Sequence, residues 1–306
     1  MFEIIHVVLI FGWISDFFLF YYCLYKMIKL EPICLIYPIF YLISEYFEYI
    51  PGVDKLSIMY CEGFKRYFKY NFSDLNVEPN KQKKNIFLLG PHGMFVTSLT
   101  AFCVFRSTPE ERKTTKLFTS PMVTSNPILT MFSKMISGNR LEDLTNRNVI
   151  KNLKEYKYNF SVSVGGFEEV NLFGTKNVIY NERWSYWIHN AIKHGYDITF
   201  CYLQGGSQDY KSLLGSWGLD FRLKLAHFYI PFNIIYGRYL ILPFNDVPFT
   251  EVLYHMKLPH NPNMSRKEAQ VYIDKFKTDV HKLISESIPK DGQHEFAIFD
   301  KYGEYN

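Results

Sequence analysis

Cysteine, glycine, proline and net charge are all modest in this chain, and each shortage removes a class of protein. Five cysteines in 306 residues (Cys23, Cys34, Cys61, Cys103 and Cys201) form no C-x-x-C pair. An odd, scattered set argues against a disulfide framework and a structural zinc site, and fits reduced thiols facing the cytosol. Seventeen glycines and 14 prolines are too few for a collagen-like or low-complexity chain. A formal net charge of +4 lacks the basic excess expected of a nucleic-acid partner. With 21% charged and 48% hydrophobic residues, wholesale disorder is excluded. What the chain has in plenty is aromatic side chains, 18% of the total, and aromatic-rich, mildly basic chains suit a membrane surface. The length allows one large domain or two small ones at roughly 100–200 residues each. No internal repeat is visible.

Apolar residues concentrate at the start. Ile4 to Tyr25 is interrupted by a single acid, Asp16. As a helix this run is roughly 33 Å long, enough to span a bilayer. A second run, Ile33 to Ile43, contains Pro38 and follows the polar connector Lys26 to Pro32. The start has no basic leader and no small-residue cleavage site, which disfavours a signal peptide. Residues 1–50 therefore read as a membrane-embedded helical hairpin, its second arm short enough to be re-entrant. Lys55, Lys65, Arg66, Lys69, Lys81, Lys83 and Lys84 follow it, which puts the downstream chain in the cytosol. In residues 51–84, aromatics interleave with bases, as in Phe64-Lys-Arg-Tyr-Phe-Lys69. This predicts an interfacial amphipathic helix with its rings at headgroup depth. Sequons at Asn71, Asn159 and Asn263 matter only if the chain is lumenal.

From residue 85 the pattern alternates between short strands and helices. Strands are predicted at Ile86–Leu89, Phe160–Val164, Val178–Tyr180 and Asp197–Leu203. Helices are predicted at Met94–Phe105, Asn126–Ile136, Asn146–Tyr156 and Trp184–Lys193. Ser265-Arg-Lys-Glu268 is a capping box opening an amphipathic helix with an apolar stripe from Ala269 to Ile284. The last dozen residues read as a tail. The expected fold class is α/β, a mixed sheet flanked by helices, over residues 85–306.

Two strand exits carry reactive groups. Gly90-Pro91-His92-Gly93 presents a histidine between glycines, and a histidine so placed can act as a general base near neutral pH. Val164-Gly165-Gly166-Phe-Glu168-Glu169 puts two carboxylates after a glycine turn. Taken alone, each reads as an ordinary turn with a structural or solvated side chain rather than as a site. His189 and His194 lack the H-E-x-x-H spacing, so no metal is expected.

Together these segments resemble the diacylglycerol acyltransferase type 2 family, which includes monoacylglycerol and wax-alcohol acyltransferases. NIFLLGPHGMFVTSLTAFCVF (85–105) is similar to the segment around that family's H-P-H-G motif, and SVGGFEEV (163–170) to its V-G-G-x-x-E motif, with the glutamate on Glu169. IKHGYDITFCYLQGGSQDY (192–210), GRYLILPFNDVPFTEV (237–252) and KLPHNPNMSRKEAQVYIDKF (257–276) resemble its later segments. The chain departs at Gly90, where the motif has its first histidine, at Gly206, where a glutamate is lost, and in the arginine-rich stretch, where only Arg183 remains.

The resemblance implies a glycerolipid acyltransferase-like fold and transfer of an acyl group from acyl-CoA, a co-substrate, to the hydroxyl of diacylglycerol, monoacylglycerol or a long-chain alcohol. It implies no cofactor. His92 would be the base, with Glu169 holding its ring and Glu168 as the fallback. Gly90, Pro91, Gly93, Gly165, Gly166 and Arg183 would bind substrate, Arg183 through coenzyme A phosphate. The implied location is the endoplasmic reticulum membrane with the catalytic domain in the cytosol, passing to lipid droplets, and a homo-oligomer is compatible with it. Two alternatives stand beside it. One is a lysophospholipid or glycerol-phosphate acyltransferase, opposed by Thr97 where H-x-x-x-x-D would need an aspartate. The other is a catalytically silent, membrane-anchored lipid-binding homologue, which the changes at Gly90 and Gly206 favour.

Overall fold

The computed structural model describes residues 2–29, 31–47, 50–72, 83–93, 97–106, 114–138, 140–174, 177–228, 230, 232–246, 248–287, 296–300 and 303–305. Its centre is a seven-stranded mixed sheet. In chain order the strands are β1 (Tyr70–Phe72), β2 (Asn85–Gly90), β3 (Thr115–Thr119), β4 (Leu141–Asp143), β5 (Asn159–Ser163), β7 (Asp197–Gln204) and β10 (Phe249–Met256). Across the sheet they run β1-β10-β7-β2-β5-β3-β4. β7, β2, β5, β3 and β4 are parallel neighbours, and β10 runs antiparallel to β7. The expected α/β class with a mixed sheet is what the chain forms.

β2 carries a continuous apolar run, and every residue of the strand is buried because both faces of the sheet are covered. Ile86 and Leu88 join a core with Phe160, Trp184, Phe200 and Phe276. Phe87 and Leu89 point the other way, to Leu99, Phe102 and Cys103. The first face is covered by α9 (Trp184–His194) and α11 (Arg266–Ser287), the second by α4 (Thr97–Ala101) and the π-helical turn Phe102–Arg106 that continues it. Residues 94–96 of the predicted Met94–Phe105 helix lie outside the described residues.

Local signals set the helix ends. Asn126 caps α6 (Pro127–Ser137) by accepting the Leu129 amide at 2.9 Å, and Gly138 closes it at φ 63°. The capping box of α11 is reciprocal: Ser265 Oγ accepts from the Glu268 amide and Glu268 from the Ser265 amide. Between these helices lie α5 (Pro121–Thr124), α7 (Asn146–Glu155), α8 (Gly166–Leu172) and α10 (Leu219–Ala226).

The two N-terminal apolar runs form two helices of unequal length. α1 (Phe2–Ile28) is the one helix among the described residues long and apolar enough to cross a membrane, and little of its apolar stretch is buried. α2 (Ile36–Glu45), at about 15 Å, is too short to cross. α1 is pinned where Phe2 enters an aromatic cluster with Tyr60, Phe64, Tyr67 and Phe68. Asp16 Oδ2 accepts from the Asn126 side-chain Nδ2 at 2.5 Å, tying α1 to the start of α6. α3 (Val53–Tyr67) is a helix as expected, but Tyr60, Phe64 and Phe68 are core residues and not headgroup contacts. Burying those rings against α1 removes more apolar surface from water than leaving them at an interface.

The last dozen residues are more than a tail. Phe296–Asp300, β11, pairs in parallel with β6 (Asn177–Tyr180), and β12 (Gly303–Tyr305) adds a third strand. β6 stands apart from the main sheet, and the β-prone Phe-Ala-Ile-Phe segment covers its edge. β8 (Lys211–Ser212) and β9 (Ile235–Tyr236) form a small separate pair.

Candidate active site

Parallel pairing brings the ends of β2, β5 and β7 to one sheet edge, and each opens into a glycine-bearing loop: Gly90–Gly93, Gly165–Gly166 and Gly205–Gly206. This is the edge where open α/β sheets place ligands. The His92 and Glu169 segments, 77 residues apart in sequence, meet there.

They meet through the main chain. Glu169 Oε2 accepts a short hydrogen bond from the His92 backbone amide, and Oε1 accepts the Tyr180 amide at 2.7 Å. The imidazole is held by its own neighbour: Nδ1 lies 2.7 Å from the carbonyl of Gly93. A carbonyl only accepts, so Nδ1 carries the proton and Nε2 is the basic nitrogen. The ring is thus oriented by a backbone carbonyl, where sequence reasoning expected the Glu169 carboxylate. Glu169 positions the turn that carries the ring.

The chain does not stay extended beyond β5 but turns at once into a helix. Both carboxylates belong to the first turn of α8 and both are buried. Successive helical positions diverge by about 100°, so Glu169 faces the His92 turn while Glu168 pairs with Arg183, whose Nη2 lies 3.0 and 3.1 Å from its two oxygens.

Burial dominates the electrostatics. Desolvation, aided by the Arg183 charge, lowers the His92 pKa to about 4, so the imidazole is neutral at pH 7. Desolvation raises Glu169 to about 8, against the pull of its two backbone donors.

The glycines serve the protein's own packing. A Cβ on Gly165 would lie 1.8 Å from the Glu169 carboxyl carbon, and one on Gly166, at φ 56°, would lie 2.2 Å from Arg183 Nη1. Gly93, at φ 64°, has the Gly206 carbonyl over it. The space that sequence reasoning assigned to substrate at Gly93, Gly165 and Gly166 is occupied by the neighbouring loop and by Glu169 and Arg183. A side chain at Gly90 would press on Phe200 at 3.2 Å, a local reason for glycine where the resembling motif has histidine. Pro91 is buried within the turn.

Three further residues were not legible in advance. Thr97, five positions after His92, donates a short hydrogen bond to Asp209, which arrives on the loop after β7. Asp209 is buried and its pKa is raised to about 7 by desolvation. Asn181 is buried beside Tyr180, and neither polar atom of its side chain makes a hydrogen bond. No motif flags Asp209 or Asn181, and Thr97 stands out in the sequence only as the place of an absent aspartate. Among the described residues no group of histidine, cysteine and carboxylate side chains could hold a metal. A groove of about 600 Å³ lies between α1, α2 and α6, lined by Gly12, Asp16, Tyr22, Phe40 and Ile128. Comparison with protein-family models, with curated proteins and with solved structures finds no match to this chain.

Proposed function

We propose that the chain is a membrane-bound O-acyltransferase that moves a fatty acyl group from acyl-CoA to the hydroxyl of diacylglycerol, monoacylglycerol or a long-chain alcohol. The observation that carries this reading is the His92 turn: a neutral imidazole with Nδ1 committed to the Gly93 carbonyl and Nε2 left as the base. The largely unburied apolar helix α1 supports a membrane substrate.

In this mechanism the acceptor hydroxyl, a poor nucleophile on its own, gives its proton to His92 Nε2 as its oxygen attacks the thioester carbonyl. The tetrahedral oxyanion calls for N–H donors close to the thioester carbonyl. The C–S bond then breaks, and the imidazolium returns its proton to the departing thiolate. Ester and free coenzyme A leave, and His92 is neutral again. Glu169 touches no reacting atom; it holds the turn through the His92 amide.

A second reading has one observation in its favour. Glu169 and Arg183 fill the space above Gly165 and Gly166, and Arg183 is already paired with Glu168. A catalytically silent lipid-binding protein would retain that packing. The test is acyl transfer from labelled acyl-CoA to a panel of acceptors by microsomes carrying the expressed chain, beside His92→Ala. Product formed by the native chain and lost in the variant supports the enzyme; no transfer to any acceptor by the native chain, with lipid binding retained, supports the silent reading.

A further inference from the structure

Sequence reasoning confined the membrane contact to the N-terminal 84 residues, but a second apolar surface lies far along the chain. Between 213 and 240 the side chains of Leu213, Trp217, Phe221, Phe228, Tyr239 and Leu240 stand in the open, Trp217 at 65%, Phe228 at 74% and Leu240 at 77% exposure. Isolated exposed apolar residues are ordinary, but so many large ones within one short segment are not.

Buried polar groups hold this segment in place with its apolar residues outward. Arg222 is fully buried, its Nη1 donating to the Gly215 carbonyl at 2.7 Å and its Nη2 to Phe173 at 3.2 Å. Asn171 donates to the carbonyls of Arg222 and Ile230, and Asn233 to those of Val170 and Phe173. At the far end the tight turn Gly237–Leu240 puts Tyr239 and Leu240 at φ 52° and 74°, a conformation that L-residues seldom adopt, and leaves both side chains outside.

We propose that the exposed apolar side chains of Leu213, Trp217, Phe221, Phe228, Tyr239 and Leu240 form a second membrane-docking surface, seated at the headgroup–acyl boundary of an anionic bilayer. Two observations commit the occupant to lipid. The first is charge: Lys211, Lys224 and Arg238 are exposed among and beside the apolar residues, outnumbering the exposed acids Asp220 and Asp246. Lys211 lies over the Phe244 ring and Arg238 over Tyr239, at 5.0 and 5.4 Å, so the cations flank the rings as they do where aromatics lie at headgroup depth. The second is continuity with α1. Tyr210 bridges His6 Nε2 at 2.8 Å to the Ile241 carbonyl at 2.9 Å. The turn therefore abuts the first turns of α1, which expose Ile4 and Val8. The proposal rests on the membrane reading of α1 and is independent of acyl transfer.

The four tryptophans allow a direct test, because Trp184 and Trp187 are buried. The full chain is reconstituted in phosphatidylcholine–phosphatidylserine nanodiscs whose acyl chains are brominated. In a Trp13→Phe variant, emission is expected to be quenched relative to unbrominated discs; Trp13→Phe/Trp217→Phe should lose that quenching, and Leu240→Asp in the Trp13→Phe background should reduce it. A Trp217→Phe variant reports α1 alone through Trp13. Quenched Trp13 with unquenched Trp217 overturns the second contact and leaves α1 in the membrane; both unquenched overturns the membrane reading itself. Unquenched Trp217 together with dimers that Leu240→Asp dissolves makes the patch a self-association face, which also overturns the proposal.

Discussion

His92 owes its expected reactivity to its surroundings, because burial keeps it unprotonated and one carbonyl selects its tautomer. Replacing it by alanine should lower acyl transfer by about 10²–10⁴-fold with expression and membrane association intact. Retention of near-native turnover would remove it from the mechanism. Because its pKa is about 4, kcat/KM should stay level as pH falls from 7 and drop only near 4, measured with acyl-CoA in mixed micelles. Stability follows its own sign. Between the ordinary 6.5 and about 4 the unfolded chain takes up a proton that the native His92 refuses, so acidification through that window destabilises the fold. Glu169 acts at the other end. Between 4.5 and about 8 the native carboxyl holds a proton that the unfolded chain releases, so rising pH costs stability until about 8. Glu169→Gln should flatten that alkaline slope in thermal unfolding. It also turns an amide NH₂ toward a backbone N–H, which costs about 1–3 kcal/mol and lowers turnover by disturbing the His92 turn. Glu168→Gln breaks a pair whose arginine is 39% exposed, so it should cost under about 1 kcal/mol and spare most activity.

At the level of the element, the turn between β5 and α8 has no room for a side chain. Gly165→Ala would drive a methyl into the Glu169 carboxyl, and the resulting shift should cost about 1–3 kcal/mol, read as a lower unfolding midpoint together with lost turnover. Gly215→Ala is the control. Its φ of 50° is strained for alanine, yet nothing lies within 4 Å, so only about 1–2 kcal/mol of backbone strain is expected, with turnover unchanged. Equal losses of turnover would show that the first effect is not local to the carboxylate. The same carboxylate joins three elements, since it binds β2's exit loop and β6 from α8. That is why α8 starts where the β5 strand stops: the turn must aim Glu169 back across the sheet edge.

Across the whole molecule, α1, α2 and α3 pack on α6 and carry most of the exposed apolar surface, while the sheet and its site form the polar-rimmed body. The proposed topology with the body in the cytosol would leave all three sequons unmodified, but they do not report equally. Asn159 is half-buried, and its side chain accepts the Asn85 amide at 2.9 Å within the sheet, so it could not bear a glycan in either compartment. Asn71, on β1, and Asn263, in the loop before α11, are exposed and are the informative sites. Expression in microsomes should give no endoglycosidase-sensitive mobility shift, and a shift removed by Asn263→Gln would place the body in the lumen.

The α/β class, the strands β2, β5, β6 and β7, and the helices α6, α7, α9 and α11 were legible in the sequence, because each follows from periodicity and capping within a short window. The apolar character of α1 was equally plain. The amphipathic helix at 53–67 was legible as a helix, but not which of its faces would be buried, since that depends on Phe2 arriving from another segment. The terminal strands were missed because β6 supplies their partner from more than a hundred residues away. At the site, the sequence by itself determined that His92 and the Gly165–Glu169 turn each end a strand; parallel pairing of β2 with β5 alone decided that they meet. Only the tertiary structure made the Gly93 carbonyl the imidazole's partner, sent Glu168 to Arg183 and Glu169 to the main chain, and brought Asp209 to Thr97. The physical reason is that hydrogen bonds and desolvation act over a few ångströms in space, and separation along the chain carries no record of those distances.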